Sequence, residues 1–192
     1  NTGEGGMIVT NNSKYAQRCK LIRNHGEAVI KQNSNKKEIS NILGYNFRLG
    51  EIEAAIGSQQ LKKLKKIIKF RQKLVKTLTN EIKDLKGLRT PIIKKKCTHV
   101  FYVIPFVLKL NELKYTRSEI IKKLKKLDIV GLNEGYSNLH LLPIFRNKIA
   151  YGTKGYPWTL NKNKRVYKKG LCKNAEELND KTFFYLSICA YD

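Results

Sequence analysis

The sequence predicts an α/β chain in which short strands alternate with amphipathic helices. Three observations predict it: an apolar tetrad, 7–10, leading directly into a helical pattern; a long helical periodicity that begins at Glu51; and a strand, helix and strand succession across 99–130. Gly3, Gly5 and Gly6 make a tight turn, and Met7, Ile8, Val9 and Thr10 follow as a short apolar strand bounded by Asn11 and Asn12. Ser13 caps the next helix. Tyr15, Ala16, Cys19 and Ile22 recur there at three-to-four spacing, Lys20 and Arg23 sit in its last turns, and it ends near Gly26. From Glu27 to Ser40 the pattern dissolves into a polar surface loop.

The second helix spans 51–87, with Ile52, Ile56, Leu61, Leu64, Ile68, Val75, Leu78, Ile82 and Leu85 keeping mostly to helical spacing until Gly87 stops it. At 1.5 Å per residue it extends roughly 50 Å, more than one compact domain needs, so it is expected to bend, with Gly57 as a candidate, or to bridge two lobes. The small residues Ala54, Ala55, Gly57 and Ser58 near its start suit close packing against another element. Beyond Pro91, 99–110 is β-rich, and Pro105 must lie at an edge, a bulge or a break. Thr116-Arg117-Ser118-Glu119 is a capping box that opens a helix bearing Ile120, Ile121, Leu124 and Leu127, after which Ile129-Val130 completes a small α+β unit. The stretch 131–173 is mostly irregular, and 182–189 closes the chain as a strand.

A chain of 192 residues can bury a core without disulfide or metal staples. Its four cysteines are irregularly spaced, which argues for reduced thiols and a cytoplasmic setting, and no apolar run reaches the length of a membrane-spanning helix. The net charge of +24 invites a nucleic-acid reading. Composition argues against that reading, because 31 of the 39 basic residues are lysine, whereas base-edge and bidentate phosphate readers lean on arginine. Lysine pairs alternating with leucine or isoleucine describe a solvated helix face.

Two segments carry candidate chemistry. In Leu43-Gly44-Tyr45-Asn46-Phe47-Arg48-Leu49-Gly50 an amide and a guanidinium precede a helix start, a combination suited to phosphate or carboxylate. The plainer alternative has Asn46 capping that helix and Arg48 paired with Glu51 or Glu53. His140, among leucines in Leu139-His140-Leu141-Leu142-Pro143, is either a satisfied structural histidine or a polar ligand contact, and Trp158 is either a sugar-site wall or ordinary core. His25, His99 and His140 stand in different elements without an i,i+4 partner, so no metal site is expected.

Taken in order, T-G-E-G-G-M-I-V-T, R-N-H-G, L-G-Y-N-F-R-L-G-E-I-E-A-A-I-G-x-x-Q-L and the stretch from H-L-L-P-I-F to G-Y-P-W resemble the DegT/DnrJ/StrS-type sugar aminotransferases over nearly the whole chain. The resemblance implies the C-terminal half of a fold type I transferase that uses pyridoxal 5′-phosphate (PLP). On that reading 1–50 is the end of the large PLP-binding domain, 51–87 a helix leading onward, and 88–192 a small C-terminal α+β domain. It further implies a homodimer with a composite active site, glutamate as amino donor and a nucleotide-linked keto-sugar as acceptor.

The resemblance places the Schiff-base lysine just upstream of the position of Asn1, so no catalytic residue is expected in this chain, and the chain alone is expected to be inactive. Asn46 matches the asparagine that reaches the PLP phosphate of a partner subunit. Tyr45 and Arg48 flank it as substrate-side candidates, and His140 matches a position bordering the sugar-nucleotide pocket. Gly135-Tyr136-Ser137 stands where relatives often have histidine-tyrosine-proline, and Cys172-Lys173-Asn174-Ala175-Glu176 resembles a C-P-x-A-E turn without its proline. A non-catalytic scaffold that lacks the lysine is the competing function, and a basic nucleic-acid binder ranks third.

Overall fold

The computed structural model describes residues 1–27, 42–160 and 165–188, so the expected polar loop lies, Glu27 apart, outside the described residues. The chain falls into two compact units, Asn1–Lys65 and Lys66–Asp192, which divide within one long helix.

In the first unit α1 spans Ser13–Arg23. Its N-cap is Asn12 rather than the expected Ser13: Asn12 is extended, and its side chain accepts the Tyr15 N–H at 3.2 Å, while Ser13 is already helical. Leu21 is the residue this helix buries, and Tyr15 stays 65% exposed. Residues 7–10 do not form the expected strand. A strand needs a neighbour to take its N–H and C=O groups, no described residue pairs with this segment, and Met7, Ile8 and Val9 lie open to solvent.

Helix α2 spans Glu51–Ile82, five residues short of the expected end at Gly87 because the Leu85 N–H bonds back three residues to the Ile82 carbonyl at 3.1 Å, and it is continuous through Gly57. Glycine there provides room instead of a bend, because a Cβ on Gly57 would lie 3.0 Å from Thr2 Cγ2. The turn after the helix closes at Gly87, whose φ of +77° favours glycine.

The second unit is built on an antiparallel sheet of β1 (Leu88–Arg89), β2 (Val103–Leu108), β3 (Leu132–Asn133) and β4 (Phe183–Ser187), in the order β1-β2-β4-β3. Pro105 pairs with Tyr185 of β4, while β1 covers only Val107 and Leu108. The other flank of β2 beside Pro105 is therefore open, which is where a residue lacking an N–H is tolerated. The strand expected at Ile129-Val130 forms instead at Leu132–Asn133, because Gly131, with φ +78°, turns the chain first and its carbonyl accepts the Ser187 N–H at 2.8 Å.

Helix α3, Arg117–Lys125, carries the anticipated capping box, with the Thr116 and Glu119 side chains reciprocally bonded. It drives Ile121 into the core beside Val75 of α2, Ile104 and Phe106 of β2 and Phe184 of β4. Fully burying one such aliphatic side chain contributes about 1.5–3 kcal/mol. The short helix α4 (Pro143–Arg146) interrupts the mostly irregular 131–173 stretch, and α5 (Lys173–Glu177) follows at its end. A wide π-type turn, Leu178–Thr182, leads from α5 into β4, and the Arg117 guanidinium satisfies carbonyls that this turn leaves open, at Asn179 (2.6 Å), Phe183 (2.9 Å) and Asp180 (3.2 Å).

Candidate functional site

The first unit brings together the motif blocks around 2–5, 23–27 and 42–57. The end of α1 supplies the frame. After Arg23 the chain turns through His25 and Gly26, both with positive φ, and the Gly26 N–H returns to the Leu21 carbonyl at 2.8 Å. Three further backbone bonds fasten the 45–47 strip to this turn: Tyr45 N–H to Ile22 O at 2.8 Å, His25 N–H to Tyr45 O at 2.9 Å and Phe47 N–H to Arg23 O at 3.0 Å. Gly26 and Gly44 meet backbone to backbone, so that a Cβ on either would collide with main-chain atoms of the other side. At the other end, a Cβ on Gly5 would sit 2.9 Å from Leu49 Cδ1, which places the glycine turn of the N-terminus against the same loop.

On this frame Asn46 stands opposite Asn24 in an antiparallel bridge, and Arg48 joins their side chains. Its Nε donates to Asn46 Oδ1 at 3.1 Å and its Nη1 to Asn24 Oδ1 at 3.3 Å. The plainer sequence alternative does not form, since Arg48 directs these bonds to two asparagines and not to Glu51 or Glu53. Arginine has no acceptor, so the atom it meets on Asn46 must be the amide oxygen. The two Nδ2 hydrogens then point to the opposite side of the amide. Tyr45 and Phe47 flank the site with stacked rings, 5.0 Å between centroids and 16° between planes. Tyr45, Asn46, Phe47 and Arg48 are all exposed. The strip thus presents amide donors backed by a cation beside aromatic faces, a set that fits an anionic phosphate ester.

Asn24, in R-N-H-G, carries no signal in the sequence that marks it for this cluster. Its identity was visible, whereas its pairing across 24 residues was not.

His140 lies in the second unit, on the turn Leu139–Leu141, and meets a buried carboxylate: its Nε2 is 2.8 Å from Glu176 Oε1. Glu176 also accepts from the Gly170 N–H (2.9 and 2.8 Å to its two oxygens) and the Cys172 N–H (3.2 Å). The Gly170 bond foremost, with those from His140 and Cys172, holds this carboxyl below the usual glutamate range against the opposing effect of burial. The turn that resembles C-P-x-A-E without its proline is therefore tied down by a carboxylate. Trp158 meets Phe145 edge-on at 6.1 Å, and Phe145 in turn packs on Tyr167 at 5.6 Å, so its plainer role as local core accounts for its contacts. Among the described residues no group of His, Cys, Asp or Glu is placed to hold a metal ion, and no helix is long and apolar enough to cross a membrane.

Comparison with known proteins bears on the family to which these motifs belong. The sequence profile of the DegT/DnrJ/EryC1/StrS aminotransferase family matches residues 1–177. An uncharacterized protein of Methanocaldococcus jannaschii is 35% identical over 161 residues, covering 81% of this chain and 42% of its own length. GDP-perosamine synthase of Caulobacter vibrioides is 31% identical over 144 residues, covering 74% and 37%. Among solved structures, Helicobacter pylori PseC, an aminotransferase involved in the biosynthesis of pseudoaminic acid, superposes with a TM-score of 0.66 at 25% identity, over 97% of this chain and 44% of that one. A GDP-4-keto-6-deoxymannose-3-dehydratase with a trapped PLP-glutamate geminal diamine shares the fold at a TM-score of 0.63 and 23% identity, over 93% and 45%. The chain spans less than half the length of these relatives. The α/β architecture expected from the sequence, as a portion of a fold type I transferase, is thereby met. With the profile extending over most of its residues, the chain belongs to the DegT/DnrJ/EryC1/StrS aminotransferase family.

Proposed function

We propose that this chain forms part of a PLP-dependent aminotransferase that moves an amino group from glutamate to a nucleotide-linked keto-sugar, working as a homodimer in the cytoplasm. PLP, the cofactor of this family, supplies the electron sink for the transfer. The observation that carries the reading is the clamp of Arg48 on Asn46: with Oδ1 engaged, the Nδ2 donors are free of internal competition from that side and suit the cofactor's phosphate. Arg48 adds positive charge behind the amide, and Tyr45 lines the same strip. In the proposed dimer this strip reaches the site of the partner subunit, and His140 borders the sugar-nucleotide pocket. The glutamate donor is supported by the PLP-glutamate adduct that the structurally similar dehydratase holds.

The test is cofactor retention by the assembled enzyme. Asn46→Ala removes a hydrogen bond to a charged group and should weaken PLP affinity roughly 10- to 100-fold. Asn46→Asp should weaken it further, because a carboxylate repels phosphate. Equal PLP occupancy of wild type and both variants after gel filtration overturns the assignment. A second expectation concerns the covalent anchor. None of the chain's 31 lysines stands at the position that the family resemblance gives the Schiff-base lysine, so the chain alone should not transaminate. Incubation with PLP, borohydride reduction and peptide mapping should find only scattered, substoichiometric labelling. One stoichiometrically modified lysine within 1–192 removes this part of the proposal and with it the competing reading as a lysine-less scaffold.

A further inference from the structure

The cofactor reading leaves Glu176 without a task, although it is the buried acidic residue among the described positions. Its carboxylate is fixed by two main-chain N–H groups, at Gly170 and Cys172, that belong to the turn preceding it and cannot rotate away. The remaining contact, to His140 Nε2, crosses 36 residues of sequence. An ionised carboxylate has no hydrogen to give, so Nε2 must carry the proton in this contact. A neutral imidazole in water divides itself between two tautomers and turns about its side-chain bonds, whereas here both freedoms are removed.

We propose that Glu176 is a positioning residue that fixes His140 in its Nε2–H form, so that Nδ1 is the acceptor offered to a hydroxyl of a nucleotide sugar. The inference rests on the nucleotide-sugar reading above. The chemistry is that of an oriented histidine: the carboxylate sets which nitrogen is basic, and 11% of the His140 side chain stays accessible. A neutral Nδ1 accepts from a sugar hydroxyl, and it would repel neither the hydroxyl nor the apolar ring face beside it. The opposite tautomer would confront that hydroxyl with a second donor.

The whole chain, labelled with nitrogen-15 at histidine, reports the tautomer directly by long-range proton–nitrogen correlation at alkaline pH, where imidazole is neutral. Wild type should show His140 protonated at Nε2 alone, and Glu176→Gln should show a mixture of both forms. An Nδ1–H form in wild type, or an unchanged tautomer in Glu176→Gln, overturns the proposal. Wild type alone keeps the test open if the variant fails to fold: millimolar UDP-glucose or GDP-mannose should give saturation transfer and shift the His140 Nδ1 resonance. Glu176→Gln, where folded, should bind these probes about tenfold more weakly. Binding with an unmoved Nδ1 overturns this inference and spares the nucleotide-sugar reading, whereas no binding of either probe by the assembled enzyme overturns that reading and the inference together.

Discussion

A primary amide carries one acceptor and two donors, and at Asn46 a neighbouring guanidinium decides which of them remains for a ligand. Sequence alone supplied the residue types Asn46 and Arg48 but not this division of labour, because the third member of the arrangement, Asn24, comes from the far end of α1. Glu176 shows the same limit. Its motif was recognisable as a turn, yet the main-chain N–H groups and the distant His140 that charge it with a role are tertiary facts. Its pH dependence has a definite sign. A carboxyl whose folded pKa lies below its unfolded value stabilises the fold fully above the unfolded pKa, and that contribution disappears as pH falls through the folded one. Thermal melting of wild type should therefore decline more steeply than that of Glu176→Gln on acidification below about pH 4, where an ordinary glutamate takes up its proton. Parallel curves for the two proteins would show that the Gly170, Cys172 and His140 contacts do not depend on charge.

Elements differ in how much of themselves they announce. Helix α3 was readable to its first residue because the capping box is local: Thr116 and Glu119 are three apart and satisfy each other. The start of helix α2 at Glu51 was equally plain, whereas its end was not, since Leu85 keeps the apolar spacing beyond the last helical residue, Ile82. Strands were less so. The 7–10 tetrad has strand composition but no strand beside it among the described residues, and β3 forms two residues beyond Val130 since Gly131 must turn before the chain can reach β4. What no periodicity could reveal is why R-N-H-G and L-G-Y-N occur in the same chain. The structure answers that Gly26 and Gly44 touch through their backbones, so neither motif tolerates a side chain at its glycine. Gly44→Ala places a methyl group into the main chain of His25 and Gly26, neither of which can yield as a flexible side chain does. The variant should retain the β-sheet of the second unit but lose amide-exchange protection at Tyr45 and Phe47, whose N–H groups bond to α1. Wild-type protection there in Gly44→Ala would mean that the contact is not needed to seat the strip.

At the scale of the whole chain, two opposing surface properties meet. Among its described residues the first unit buries one large hydrophobic side chain, Leu21, while Met7, Ile8, Val9, Leu43, Phe47 and Ile52 are each more than half exposed. Apolar surface of that extent drives association, and the segment 7–10 also offers backbone with which no described residue pairs. Against this stands the net charge of +24, spread over lysine-rich helix faces, which makes two copies repel. Repulsion between exposed charges acts over a screening length of roughly 10 Å at 0.1 M salt and shrinks as salt is added, whereas apolar contact does not weaken with salt. The balance therefore tips in one direction only. Self-association of the chain, followed by sedimentation velocity at fixed protein concentration, should grow from low to high sodium chloride. Ile8→Lys with Val9→Lys should shift the onset to higher salt by removing apolar area and adding charge at the same place. A nucleic-acid partner would show the contrary dependence, since its affinity falls as salt displaces the counterion-release term. If wild type sediments as a monomer throughout the salt series, the exposed face of the first unit is not adhesive, and the composite dimer proposed for the active enzyme must draw its contacts from elsewhere.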